Sequence, residues 1–261
     1  MQWILQNGFS SEHRWNEFVS ILERQEYEFS LHSVEPFVGQ IKPEPIVTQE
    51  RVICIGSYSM RHVAKQMDWQ PGVFDLYEQN FLRQKEKWGS YLLNFESTVS
   101  TVCKSQFSQE KMFIRPIHDS KYFSGRLFTQ REFEEWKQLI CEDKLPNQGS
   151  LKSSTEILVG RPQEIFSEFR FWVVNGNIVT QSLYKRGKQI FYDSNVDSRI
   201  IDFVRERIAE WQPHEAFVID VCETSQGPRI VELNTINSSA FYAANLQLLV
   251  NALAEVRLSN H

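Results

Sequence analysis

FVIDVCETSQGPRIVELN, at positions 217–234, places two apolar runs on either side of a polar turn, and each run holds a carboxylate where a strand normally buries hydrocarbon. In FVID the two-residue period of a strand puts Phe217 and Ile219 on one face and Val218 and Asp220 on the other. In RIVELN the residues Ile230, Glu232 and Asn234 share a face. If the runs pair as a hairpin across ETSQGP, Asp220 comes close to Glu232 and Asn234. Two carboxylates and a carboxamide oxygen make a hard-oxygen set suited to Mg²⁺. Without a cation the two acids repel and one tends to take up a proton. A bound divalent ion removes that conflict and can bridge the phosphates of a nucleotide. The competing reading is structural: Asp220 marks a strand end and Glu232 pairs with an arginine on the sheet surface.

Other charges interrupt apolar strings. Arg170 lies among Phe, Trp and Val in SEFRFWVVNG, where an unpaired charge is costly. It is a candidate for phosphate or acyl-phosphate binding, with a salt bridge to Glu168 as the structural alternative. Arg115 interrupts KMFIRPI in the same way, and Lys185 and Arg186 stand near the end of NIVTQSLYKRG, where basic residues are also ordinary surface. Asn237 and Ser238 follow the acidic triplet and could face substrate, although Ser238 could equally cap the last helix. Arg61 and His62 follow IGSY at the kind of strand end that borders ligand clefts in open α/β sheets. His118 reads as a surface-turn histidine.

The elements that must position these residues are legible as periodicities. WILQNG predicts a strand, and SEHRWNEFVSILERQ predicts an amphipathic helix with Trp15, Phe18, Val19 and Leu22 inward and Ser10 or Ser11 as N-cap. EYEFSLHSV and RVICIGSY are strand candidates, and DLYEQNFLRQKEKWG is helical up to Gly89. This alternation predicts a small α/β unit with a largely parallel sheet over residues 1–105. From about residue 106 the pattern changes to KMFIRPI as a strand, the polar turn HDSKYFSG, and the helix TQREFEEWKQLICED capped by Thr129 with Phe133, Trp136, Leu139 and Ile140 inward. TEILVG, SEFRFWVVNG and NIVTQSLYKRG follow as strands, the last two joined at Asn175-Gly176, which accepts the positive φ angles of a type I′ hairpin turn. SRIIDFVRERIAEWQ is a helix, the acidic hairpin comes next, and SSAFYAANLQLLVNALAEVRL is read as one closing helix. Trp3, Trp15, Trp88 and Trp136 are assigned to the core.

Bulk properties narrow the function classes. The chain has 261 residues, 41% hydrophobic and 23% charged, within the range of ordinary globular proteins. Its 28 basic and 33 acidic side chains give a net charge of −5, which argues against a broad nucleic-acid surface. The four cysteines, at 54, 103, 141 and 222, form no CxxC pair, so neither a disulfide framework nor a structural zinc site is expected and each reads as a small buried apolar residue. No long apolar span or secretory leader is visible, so a cytoplasmic, reduced protein without membrane contact is expected.

With the acidic hairpin in view, residues 106–261 resemble an ATP-grasp domain, whose last segment has an Asp in one strand and Glu-x-Asn in the next, here Asp220 and Glu232-Leu233-Asn234. Glu168-Phe169-Arg170 resembles the family's Glu-x-Arg strand, and ILVGRP resembles the segment whose backbone holds adenine, which implies Leu158 and Val159 there. Where many members carry Lys in a Phe-Val-Lys-Pro-like string, this chain has Phe113-Ile114-Arg115-Pro116, a variant shared with a clade of phage and bacterial proteins. Arginine still binds phosphate, as a fork rather than a point charge. The resemblance implies an α/β pre-grasp domain at 1–105, and a two-lobed grasp domain with a first lobe at about 106–156 and a second at about 157–261. It implies ATP and Mg²⁺ as cofactors, with Asp220, Glu232 and Asn234 as metal ligands. Arg115, Arg170 and Lys185 would be the catalytic cations, while Glu168 and the turn residues Lys121, Ser124 and Gly125 would contact nucleotide. The implied activity is amide-forming ligation of a small-molecule or peptide carboxylate to an amine through an acyl phosphate. A small-molecule kinase and a catalytically silent binding module are the alternatives. An N-terminal sheet edge could support a homodimer. Asp220→Asn and Glu232→Gln are each expected to abolish turnover and leave the fold intact.

Overall fold

The computed structural model describes residues 1–7, 9, 14–36, 39–74, 80–117, 123, 125–144 and 151–256. In chain order the early elements are β1 (Gln2–Gln6), α1 (Trp15–Arg24), β2 (Glu28–Val34), β3 (Ile41–Lys42), β4 (Arg51–Ile55), α2 (Met60–Gln66) and β5 (Gln70–Gly72). Next come α3 (Phe81–Trp88), β6 (Thr98–Thr101), β7 (Lys111–Pro116), β8 (Arg126–Thr129), α4 (Gln130–Cys141) and β9 (Glu156–Gly160). The last part holds β10 (Ser167–Val174), β11 (Asn177–Arg186), β12 (Gln189–Asp193), α5 (Ser198–Glu210), β13 (Ala216–Thr224), β14 (Gly227–Asn234) and α6 (Leu246–Glu255).

Packing divides the chain into two compact units. One is assembled from Met1–Tyr77, Phe166–Glu223 and Glu232–His261, the other from Glu78–Ile165 and Thr224–Val231. Both draw on separated stretches, unlike the linear segments 1–105 and 106–261 read from the sequence.

The first unit contains two sheets. One has the order β3-β2-β1-β4-β5, parallel throughout except for β3, which runs antiparallel to β2. The other has the order β12-β11-β10-β13-β14, with β10 antiparallel to both of its neighbours. A single apolar cluster serves both sheets: Trp3 and Leu5 of β1, Phe18 and Leu22 of α1, Trp172 of β10, Val218 of β13 and Leu249 and Leu253 of α6. Each large side chain removed from water here contributes about 1.5–3 kcal/mol relative to exposure. The Asn-Gly hairpin forms as expected, with Asn175 at φ 48 and Gly176 at φ 75 between β10 and β11.

The second unit holds an antiparallel sheet of order β6-β9-β7-β8 over the core of Ile114, Phe128, Phe133 and Ile157. Gly125 approaches this sheet closely: a Cβ there would stand 2.8 Å from Phe113 Cζ and 3.0 Å from Arg115 Cβ. Among the described residues no helix is long and apolar enough to cross a membrane.

Several expectations are corrected. Cys103 and Cys141 are joined by a disulfide, with Cα atoms 6.3 Å apart, while Cys54 and Cys222 are the free, buried residues expected. The pairing is not legible from spacing because the two lie 38 residues apart and meet only when α4 packs near the turn at Val102–Lys104. The closing helix begins at Leu246 rather than near Ser239. Asn245 supplies its cap by accepting from the Leu248 N–H, so Ser238 is not a cap. At α1 the N-cap position falls on Arg14; Ser10 and Ser11 lie outside the described residues. Leu139 is 39% exposed rather than inward, and Val19 and Trp136 are only partly buried. The strands β3, β5, β6 and β12 and the helix α2 are additions to the elements expected from the sequence.

Thr129 caps α4 as expected. Its hydroxyl accepts from the Glu132 N–H at 3.3 Å, and the Glu132 carboxylate accepts from the Thr129 N–H at 2.7 Å. That backbone hydrogen bond, followed by the hydroxyl, holds the Glu132 carboxyl below its ordinary pKa. A depressed carboxyl pKa stabilises the fold above the unfolded value and loses that effect as pH falls through the folded one. Thr129→Ala is expected to lower unfolding stability by about 1 kcal/mol at neutral pH. Urea titrations should show this loss shrinking in acid.

Candidate active site on the acidic hairpin

The first unit gathers most of the charged residues singled out in the sequence. β10 and β13 place Arg170 directly opposite Asp220. Arg170 donates from Nε to Asp220 Oδ1 and from Nη2 to Oδ2, both at 2.8 Å. Its remaining nitrogen, Nη1, donates to the Ala240 carbonyl at 3.5 Å. Arg170 is 8% exposed and Asp220 2%. The structural alternative of an Arg170–Glu168 bridge is therefore replaced by a buried Arg170–Asp220 fork. Alternation along β10 carries Trp172 on the same side, so the fork borders the apolar cluster beneath the sheet.

Asn234 joins the acids. Its Nδ2 donates to Asp220 Oδ2 and to Glu232 Oε1, each at 3.1 Å. The three expected ligands do share one face, and a single amide donor stands between two acid oxygens. Lys185, opposite Glu168 in the β10–β11 register, donates to Glu168 Oε1 at 2.5 Å, and Tyr184 donates to Glu168 Oε2 at 3.0 Å. Burial, against the pull of Arg170 and with repulsion from Glu232 and Glu168, raises the Asp220 pKa. Burial alone would also discharge Arg170, but the field and hydrogen bonds of Asp220 outweigh it and raise the guanidinium pKa. Tyr184 is likewise held protonated, by burial first and by its acidic neighbours second.

Two aromatic residues absent from the sequence reading belong to this cluster. Tyr242 stacks on Tyr184 with ring centres 4.8 Å apart, and Arg170 lies 4.9 Å from the Tyr242 centre and 5.7 Å from that of Tyr184. The available signal was the spacing of Tyr184 beside Lys185, which puts it next to Glu168 across the hairpin.

Other candidates lie elsewhere. Asn237 is 1% exposed and donates to the carbonyls of Gly56 and Ser57, pinning the end of β4. Arg61 sits over the Tyr58 ring, and His62 packs edge-on to the same ring. Arg186 lies over Phe191. In the second unit Arg115 is half-buried on β7, donates to the Val231 carbonyl at 3.4 Å and pairs with Leu158 across the ladder. Leu158 and Val159 are buried on an interior strand bonded to β6 on one side and β7 on the other. Their main-chain groups are used by those ladders, and the strand-free backbone begins at Arg161. His118, Lys121 and Ser124 lie outside the described residues.

The fork changes what one substitution tests. Asp220→Asn would leave the Arg170 charge buried with only neutral partners, so that variant is expected to lose about 3–5 kcal/mol of stability rather than keep the fold intact. Denaturant unfolding of Asp220→Leu, Arg170→Met and the double variant should show the double losing much less than the sum of the singles.

No curated protein sequence matches the chain. Solved structures share the fold at low identity. A D-cycloserine synthetase superposes with TM-score 0.62 at 9% identity, covering 98% of this chain and 99% of its own. D-alanyl-alanine synthetase A from Vibrio cholerae O1 biovar eltor superposes with TM-score 0.62 at 10% identity, covering 98% of each chain. The L-amino acid ligase from Bacillus licheniformis superposes with TM-score 0.61 at 11% identity, covering 99% of this chain and 76% of its own. A family profile of the ATP-grasp domain, the third family of its clade, matches residues 31–253, a span that includes the acidic hairpin and reaches into both compact units. The chain therefore belongs to the ATP-grasp superfamily, in that third clade family.

Proposed function

We propose that this protein is an ATP- and Mg²⁺-dependent carboxylate–amine ligase working through an acyl phosphate. The observation that carries the reading is the convergence of Asp220 and Glu232 oxygens on the single amide of Asn234. With that amide turned to present its oxygen, three oxygens surround one point, the donor set of a hard cation. Mg²⁺ held there would neutralise triphosphate charge and bridge its oxygens.

The chain's own groups do the positioning. Arg170 grips both Asp220 oxygens and fixes the carboxylate's orientation before any ligand binds. Lys185, its side chain 41% exposed, keeps donors beyond the one given to Glu168 and is assigned to phosphate. Arg115 and Lys121 are assigned to phosphate as well, and adenine to the backbone that follows Leu158 and Val159. The substrate carboxylate attacks the γ-phosphorus and ADP departs. The amine nitrogen then attacks the acyl carbon, inorganic phosphate leaves, and the new amide nitrogen gives up its proton to water. Neither step requires a nucleophilic side chain, so the rate gain comes from placement and charge neutralisation. ATP as co-substrate favours the cytoplasm as the working compartment, and the substrates are a small-molecule or peptide carboxylate and an amine.

Glu232 is the cleaner probe, being half-buried and outside the fork. Glu232→Gln is expected to cut ATP-dependent phosphate release by about a hundredfold or more while circular dichroism and the unfolding midpoint stay close to those of the parent. Retained turnover in that variant would sink the assignment. Mass spectrometry of amino-acid and peptide mixtures incubated with ATP should reveal a product heavier by an amide linkage. A stable phosphorylated product instead would make the protein a kinase.

A further inference from the structure

Two backbone irregularities of the first unit converge beside the acidic cluster. On the edge strand β12 the register slips between the pairs Leu183–Asp193 and Lys185–Ile190, so Tyr184 alone stands opposite both Phe191 and Tyr192. Such a bulge breaks the alternation of a strand and re-aims a side chain. The second irregularity is Tyr242, at φ 46 in the left-handed region that bulky residues rarely occupy. Residues held this way cluster at ligand sites. The two meet: Tyr192 stacks on Tyr242 with ring centres 5.2 Å apart, and Tyr242 stacks on Tyr184 at 4.8 Å. Arg170, the partner of Asp220, touches the same stack. At its outer end Tyr192 is 43% exposed and the adjacent Phe191 44%.

We propose that Tyr192, with Phe191, forms a side-chain subsite that selects an amino-acid or peptide substrate carrying an aromatic side chain. Exposed rings accept either a cation or another ring on their faces. Cations already occupy this group: Arg170 lies over Tyr242, and Arg186 lies 4.9 Å from the Phe191 centre. Lys185 adds a third positive charge nearby, being bonded to the same Glu168 as Tyr184. A lysine or arginine side chain would meet like charge, an aliphatic one would gain burial without stacking, and an aromatic one gains both. The same basic residues favour a substrate that brings a carboxylate. The inference rests on the ligase reading for the identity of the substrate, but not for the existence of the subsite.

The test is equilibrium binding of L-phenylalanine, L-leucine and L-lysine to the full chain, followed by saturation-transfer NMR, with phosphate release measured in parallel. L-Phenylalanine should bind most tightly. Tyr192→Leu should weaken that binding about tenfold, and Tyr192→Phe, which keeps the ring, should restore it. Equal binding of phenylalanine and leucine, preference for lysine, binding of none, or an unaltered affinity in Tyr192→Leu would overturn the subsite. Selective phenylalanine binding without ATP-dependent phosphate release would leave the subsite standing and remove the ligase reading instead.

Discussion

The fork between Arg170 and Asp220 constrains everything around it. Both groups sit on strands otherwise made of Phe, Trp, Val and Ile, and removing either charge from water is expensive unless the other offsets it through well-aligned hydrogen bonds. The alignment exists because β10 and β13 run antiparallel in a register that sets Arg170 against Asp220, Trp172 against Val218 and Phe171 against Ile219. A slip of one residue would swap the faces of a strand, bringing charge into the apolar cluster and aromatic rings out of it. The pair therefore specifies strand register in addition to whatever it contributes to the site. It also explains why two acids and an arginine persist within one patch of sheet: each has a partner, Arg170 in Asp220, and Asp220 and Glu232 in Asn234.

From that fork a continuous polar and aromatic chain extends. Glu232 and Asp220 are joined through Asn234, Asp220 binds Arg170, Arg170 lies against Tyr242 and Tyr184, and Tyr184 reaches Glu168, which binds Lys185. Networks of this kind hold their members in one geometry more firmly than isolated pairs do. Preorganised charge of this sort is what phosphoryl chemistry asks of a protein, since little of the bond-making falls to its side chains.

Features fixed by nearest neighbours in the chain were legible in the sequence. The turn at Asn175-Gly176, the cap at Thr129 and the shared face of Glu232 and Asn234 follow from φ preferences, side-chain reach and the two-residue strand period, all local quantities. What failed depended on packing between distant stretches. Arg170 and Asp220 are 50 residues apart, and which acid it meets is decided by register rather than by spacing. Cys103 and Cys141 meet through the placement of α4. The start of α6 was misjudged because alanines at 240, 243 and 244 suit a helix, whereas the left-handed turn at Tyr242 and the cap at Asn245 delay it. β12 went unseen because its bulge destroys the alternation by which a strand is recognised.

The larger core has a consequence for how the molecule comes into being. Trp3 and Phe18 near the start of the chain share one apolar cluster with Val218, Phe241 and Leu253 near its end. A nascent chain emerging from the ribosome cannot complete that cluster until nearly the last element is synthesised, so the first sheet waits with its large aromatic side chains uncovered. The stretch 78–165, by contrast, contains most of the partners it needs and can consolidate earlier. Vectorial synthesis thus separates the unit that can form en route from the one that must wait. During that interval the amino-terminal strands, rather than the finished fold, are the part most in need of chaperone protection.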